Sequence, residues 1–217
     1  MNRRVKIVSL YGRDKVGKTT IASALKERLG PSAILISFSD ELRKEIEMFY
    51  GIPRCYTVDE DKKETIIRLG DFPYTEEMKE KWKFYNINII TDFDNVKITP
   101  RKLMHVHSFY IRRKENVDWL VDAYNDKIEN LSGDIQYVIT DDCRPANELK
   151  LINSLNSRLF FLNNRKDLFG PSYKNILEED LIKYIEKHFD SFICIQMKIP
   201  VDSENIETAL KTIQERL

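Results

Sequence analysis

The amino-acid sequence predicts an α/β fold, a five-stranded parallel sheet flanked by helices within a single domain. Three observations carry this expectation. Apolar runs of strand length alternate with amphipathic helical segments along the chain, the pattern of a parallel sheet with helical crossovers. The first apolar run leads through a glycine-bounded loop straight into a helix. The chain has 217 residues, 42% of them apolar, which suits one α/β core.

The elements follow in order. The run from Val5 to Tyr11 is apolar throughout, as a strand buried on both faces must be. A helix from Lys18 to Leu29 places Ile21, Leu25 and Leu29 on one face with Ala22 beside them, and Gly30-Pro31 stop it. A second strand, Ala33 to Phe38, ends at Ser39-Asp40, a helix cap opening a helix to Phe49. From Pro53 to Val96 a helix over Asp59 to Leu69 is expected, and the charged, aromatic-rich stretch 75–96 has no assignment. Tyr74, Trp82 and Tyr85 are candidates there for a substrate-covering segment. Thr99-Pro100 is a cap with proline at the first helical position. The helix after it carries Leu103, Val106 and Tyr110, and the next, Val117 to Leu131, carries Leu120, Val121, Tyr124 and Ile128. Three strands remain, Ile135 to Thr140, Leu159 to Leu162 and Phe192 to Ile195. A last helix has Ile206, Leu210, Ile213 and Leu217 at helical spacing. The core is then about 1–40 and 132–217, with a helical excursion at about 41–131.

Composition narrows the function. Basic and acidic residues number 35 each, for a formal net charge of zero, whereas a protein gripping nucleic acid carries a basic surplus. No stretch is long and apolar enough for a membrane span, and no signal-peptide pattern precedes the first strand. Cys55, Cys143 and Cys194 lack metal-type spacing and suit the thiols of a reducing cytosol. The expectation is therefore a cytoplasmic protein that binds neither nucleic acid nor membrane. A homodimer is left open.

Chemistry concentrates at residues 12–19. Gly12, Arg13, Asp14, Lys15, Val16, Gly17, Lys18 and Thr19 read G-x-x-x-x-G-K-T, a P-loop. Its glycines let the backbone approach a phosphate, and its N–H groups together with the helix N-terminus hold the oxygens. Lys18 is assigned to the β- and γ-phosphates of ATP and the Thr19 hydroxyl to Mg²⁺. Thr20 completes the nucleotide-binding set. P-loop proteins place an acid at the end of another apolar strand, and Tyr137-Val138-Ile139-Thr140 is followed by Asp141 and Asp142. Either serves the metal; the other caps the next turn. The predicted fold is thus the P-loop NTPase type.

Among such proteins a switch GTPase needs an N-K-x-D motif. The nearest string, Asn163-Asn164-Arg165-Lys166-Asp167, has the wrong order. A small kinase remains, with its acceptor over the carboxyl ends of the strands. The segments Thr99–Trp119 and Thr140–Glu148, and Phe38 to Arg43 after the second strand, resemble the bacteriophage deoxynucleoside monophosphate kinases. That family shows R-x-L-x-Q-x-x-G-T, a downstream Arg, a Trp, and a strand ending in D-x-R-x-x-x-E. The matching positions here are Arg101, Leu103, Arg113, Trp119, Asp142, Arg144 and Glu148, with Arg43 at the family's basic position. His105 and Ser108-Phe109 stand where the family has Gln and Gly-Thr.

The resemblance implies ATP- and Mg²⁺-dependent phosphoryl transfer to a (deoxy)nucleoside 5′-monophosphate. Arg43, Arg101 and Arg113 are nominated for the acceptor phosphate, with Trp119 and Asp142 on the substrate side. Trp119 equally suits core packing. Arg144 and Arg165 are nominated, with Lys18 and Arg113, for the transferring phosphoryl group, since arginine's planar fork suits phosphate. Asp14 matches an acidic residue by which thymidylate kinases contact the substrate sugar, although their D-R-Y-type signature is absent. His105 and His107 sit on different faces of a helix and are read as pocket-lining or packing residues. The alternatives are a kinase for another small acceptor and a regulatory NTPase.

Overall fold

The run Lys6–Gly12 forms β1, whose residues Ile7 to Tyr11 are all buried, because a parallel strand is covered on both faces. The computed structural model describes residues 5–12, 16–87, 92–143, 146–155, 157–163, 187, 192–197 and 202–217. These divide into two compact units, Met1–Phe38 with Tyr124–Leu217, and Ser39–Ala123.

The first unit holds β1, β2 (Ala33–Leu35), and three strands numbered after the short pair described below: β5 (Tyr137–Thr140), β6 (Arg158–Asn163) and β7 (Phe192–Gln196). They form a five-stranded sheet in the order β2-β5-β1-β6-β7, and every pairing is parallel. Helices flank it, among them α9 (Ala146–Ser154) between β5 and β6, so the chain is an α/β P-loop fold with β1 in the middle of the sheet.

Helix α1 (Lys18–Leu29) follows the loop. Val8, Leu10, Ile139, Phe160, Leu162 and Ile195 pack on one face of the sheet against Ile21, Ala22 and Leu25 of α1 and Ala209, Leu210 and Ile213 of the last helix, α10 (Ser203–Gln214). Gly30 ends α1 at φ +68°, and its N–H bonds the carbonyls of Lys26 and Glu27, a glycine terminator. On the opposite face Tyr124 of α8 (Trp119–Glu129) stacks on Phe38 at 4.1 Å and bonds the Thr140 hydroxyl at 2.6 Å. Thr140 in turn donates to the Ile36 carbonyl at 3.0 Å, tying the ends of β2 and β5 together. No helix among the described residues is long and apolar enough to cross a membrane.

The second unit contains α2 (Ser39–Tyr50), α3 (Cys55–Val58), α4 (Glu60–Lys63), α5 (Glu76–Phe84), α6 (Pro100–Val106) and α7 (Arg113–Glu115). A π-helical stretch, His107–Arg112, joins α6 to α7. Ile67–Arg68 (β3) and Lys97–Ile98 (β4) pair antiparallel. The helix expected over 59–69 is therefore corrected. Asp59 does cap it, accepting from the N–H groups of Asp61 and Lys62 at 3.0 Å. It stops at Lys63 because Thr65-Ile66-Ile67 is a β-branched run, and Ile67 instead pairs with Ile98. The unassigned stretch contributes α5, capped by Thr75, with Met78 and Trp82 buried. Tyr110 is exposed, not inward-facing. Leu103 and Val106 are buried as expected, but beyond the π turn the inward position falls to Ile111, and His107 joins the buried face.

Candidate functional site: the phosphate loop and the arginines of the second unit

β1 ends at Gly12 because nothing larger fits. A Cβ there would lie 2.4 Å from the Leu162 carbonyl oxygen of the neighbouring strand, and φ is +156°. Gly17, at φ 89°, is the residue before α1, a left-handed conformation that glycine adopts at no steric cost. Between them Val16 is buried in the core. Lys18 opens α1, and its Nζ donates to the Gly12 carbonyl at 2.8 Å, closing the loop on itself. Thr19 and Thr20 are exposed on the first turn, where backbone N–H groups lack helical partners. The loop thus combines a dipole's positive end, an ammonium group and a hydroxyl.

Asp141 and Asp142 follow β5, the strand beside β1, just past the Ser9–Thr140 pair. They differ in what holds them. Asp142 Oδ1 accepts from the Phe38 N–H at 2.9 Å, and Oδ2 accepts a short hydrogen bond from Ser37 Oγ. This carboxylate fastens the chain leaving β2. Asp141 is half-buried at the carboxyl edge of the sheet.

In the second unit Arg43 of α2 pairs with Asp40 at 3.3 Å, and Arg54 reaches the same oxygen at 2.7 Å. Arg101 of α6 bonds Glu60 at 2.8 Å and, more closely, Glu64. These carboxylates, Glu64 first, raise its pKa, so any phosphate it binds must compete with them. The Arg113 guanidinium lies 4.8 Å from the Phe109 ring centroid, and Phe109 stacks on His105 at 4.4 Å. Trp119 is 5% exposed. Arg112, not Arg113, is the cation over it, at 5.0 Å, and the ring meets His107 edge-on at 6.5 Å.

A buried polar chain runs through this unit. Trp82 Nε1 donates to Tyr50 Oη at 2.9 Å, Tyr50 Oη lies 3.2 Å from His107 Nδ1, and His107 Nε2 lies 2.8 Å from Glu45 Oε2. Arg112 Nε is 3.0 Å from that same oxygen, too oblique for a hydrogen bond but a close charge contact. Arg112 Nη1 donates to Glu115 at 2.7 Å, and Lys81 pairs with Glu115 at 2.8 Å. Burial pushes up the Tyr50 phenol pKa, so it keeps its proton. Burial works against the charge on Arg112, yet its bond to Glu115 and the charges of Glu45 and Glu115 hold its pKa above the ordinary value. Among the described residues no three His, Cys, Asp or Glu groups cluster as a metal site.

Comparison with known proteins gives only distant likeness. No protein-family model matches the chain, and no curated protein matches it. Shikimate kinase from Bacteroides thetaiotaomicron is similar in structure at 13% identity and a TM-score of 0.37, over 97% of this chain and 97% of that one. Thymidylate kinase from Candida albicans is similar at 14% identity and a TM-score of 0.29, over 98% of this chain and 90% of that one. Likeness at this level says nothing about substrate.

Of the sequence-nominated residues, Gly12, Val16, Gly17, Lys18, Thr19 and Thr20 are brought together around one loop, with Asp141 and Asp142 just past the end of the next strand. Arg43, Arg101, Arg113 and Trp119 belong to the second unit. Arg13, Asp14, Lys15, Arg144 and Arg165 lie outside the described residues. Sequence reasoning missed Glu45 and its link to His107. The signal was present: Leu42, Glu45 and Ile46 fall on the buried face of α2, and a carboxylate there demands a partner.

Proposed function

We propose that this protein transfers the γ-phosphoryl group of ATP to a (deoxy)nucleoside 5′-monophosphate. The observation that carries the donor side is the loop between β1 and α1, with Lys18 at its closure and Asp141 at the end of the adjacent strand. The residues fit Mg²⁺-ATP. The Thr19 hydroxyl is exposed beside the loop, and Asp141, just past the adjacent strand, would orient the metal's water shell. Bound there, Mg²⁺ would supply charge neutralisation on the β- and γ-oxygens.

The chain's own work is positioning. An acceptor phosphate is already anionic near neutral pH, so no general base is needed. The barrier lies in bringing two polyanions together. Lys18 exchanges the Gly12 carbonyl for phosphate oxygens. Arg113, backed by the Phe109 ring, and Arg43 and Arg101 receive the acceptor phosphate in this reading, and Asp142 holds the β2 end from which Phe38 and α2 depart. The acceptor class rests on the resemblance of Arg43, Arg101, Arg113 and Trp119 to the nucleoside monophosphate kinases. His105 and Phe109, where that family has Gln and Thr, present stacked rings instead, which favours reading a base by its face.

The test is ADP formation from ATP and Mg²⁺ with and without each common (d)NMP. Turnover is expected only with an acceptor, and Lys18→Ala is expected to lower kcat by about 100-fold or more. ADP released equally without acceptor assigns an NTPase, and turnover with a different small alcohol or acid, but no monophosphate, overturns the acceptor class.

A further inference from the structure

The π-helical stretch His107–Arg112 is held at both ends by one atom. His107 Nε2 lies 2.8 Å, and Arg112 Nε 3.0 Å, from Glu45 Oε2. Glu45 is 6% exposed and His107 0%. A π turn takes one more residue than an α turn and persists where something compensates for its poorer packing. Here a buried carboxylate spans it.

The hydrogen bonds have one consistent direction. Trp82 Nε1–H donates to Tyr50 Oη, Tyr50 Oη–H to His107 Nδ1, and His107 Nε2–H to Glu45. Only the neutral Nε2–H tautomer satisfies every atom of this chain. Neutral His107 leaves the charge of Glu45 to Arg112, which sits between Glu45 and Glu115 with its plane on Trp119. Lys81 balances Glu115. Arg112 is therefore committed to two carboxylates. Its sequence neighbour Arg113 leaves the same turn and lies on Phe109, a residue of the turn itself.

We infer that Glu45, by closing the π turn, is the positioning residue for Arg113, and that Arg112 is the counter-ion of Glu45 rather than a ligand of the acceptor phosphate. This rests on the proposed role of Arg113 in the acceptor site. Two adjacent arginines of like composition then do different jobs, separated by which side of the turn each faces.

The experiment compares Glu45→Gln, Arg112→Lys and Arg113→Lys in the full chain. Glu45→Gln keeps the side-chain volume and an oxygen for His107 but drops the charge that holds Arg112. It is expected to raise the KM for the monophosphate by about tenfold or more, the scale of one misaligned charged hydrogen bond, with the KM for ATP unchanged. Adding Arg113→Lys to it is expected to cost far less than Arg113→Lys alone, since both act through one contact. Additive effects, or an unchanged monophosphate KM, overturn the inference. Should Glu45→Gln fold poorly, Glu45→Gln/Arg112→Gln removes the unpaired charge and is read the same way.

A second readout does not depend on turnover. Inorganic phosphate is titrated against the ¹⁵N side-chain resonances of the arginines, with the His107 nitrogens reporting the tautomer. Phosphate is expected to shift Arg113 and not Arg112 in the wild type, and to do so at about tenfold higher concentration in Glu45→Gln. If no monophosphate is turned over, the functional reading fails, yet these shifts still decide the positioning role. A phosphate shift on Arg112, or the same Arg113 titration in both proteins, overturns it.

Discussion

At Gly12 the backbone leaves no space for a methyl group, since the obstructing atom is the Leu162 carbonyl oxygen at 2.4 Å and not a side chain that could turn aside. Gly12→Ala must push β1 from β6 at the edge that carries the loop. It is expected to cost about 1–3 kcal/mol by overpacking, and Mg²⁺-ATP should no longer raise the Tm. A variant with wild-type stability and ATP response would show that the strand ends part easily. The two aspartates separate in a similar way. Asp142→Ala strips the Phe38 N–H of its acceptor, an expected loss of about 1–3 kcal/mol in urea unfolding, while Asp142→Asn, which retains an acceptor oxygen, should cost much less. Asp141→Asn is expected instead to weaken the Mg²⁺ dependence of turnover. Reversed behaviour of the pair would exchange their roles. From the sequence alone these aspartates were interchangeable, because what distinguishes them is Ser37 and Phe38, brought alongside by the β2–β5 pairing.

At the scale of elements, α5, the π stretch and α7 are joined by Lys81, Arg112 and Glu115. Burial opposes the charge of Glu115, but hydrogen bonds from Lys81 and Arg112 outweigh it and lower its pKa. The sign follows. A carboxylate whose folded pKa lies below its unfolded value of about 4.3 contributes stability in full above that value and loses it as pH falls through the folded one. Glu115→Gln should therefore flatten the acid limb of the stability curve below about pH 4.3, measured by urea unfolding at a series of pH values. An unchanged limb would mean the contacts open before the carboxyl titrates. The helices α1, α2 and α10 were legible because caps, stops and apolar spacing agree. The π turn was not, since a single extra residue per turn leaves no mark on a pattern of period near four. The expected helix at 59–69 failed where β-branched residues met a strand partner some thirty positions away.

Across the whole molecule, the legible part is the sheet. Each of its strands is an apolar run flanked by a helix, and the crossover rule leaves few ways to assemble them. The second unit was opaque because its core is built from short pieces whose partners are distant in sequence: Tyr50 with Trp82 and His107, Trp82 with Phe93. Each unit has its own buried core, so each should report its own ligand. A ligand bound at 100 times its Kd stabilises what it binds by about 2.7 kcal/mol, and hydrogen exchange reads that gain amide by amide. Mg²⁺-ATP alone is expected to slow exchange in β1, the first turn of α1 and the end of β5, which carry the proposed donor groups. A nucleoside monophosphate alone is expected to slow exchange in α2, α6 and the π stretch, which carry Arg43, Arg101 and the anchor of Arg113. Lys18→Ala should abolish the first pattern and spare the second, and Arg113→Lys should do the opposite. Equal protection of all these segments by either ligand would refute the assignment of donor and acceptor groups to separate units, whatever the turnover assay gives.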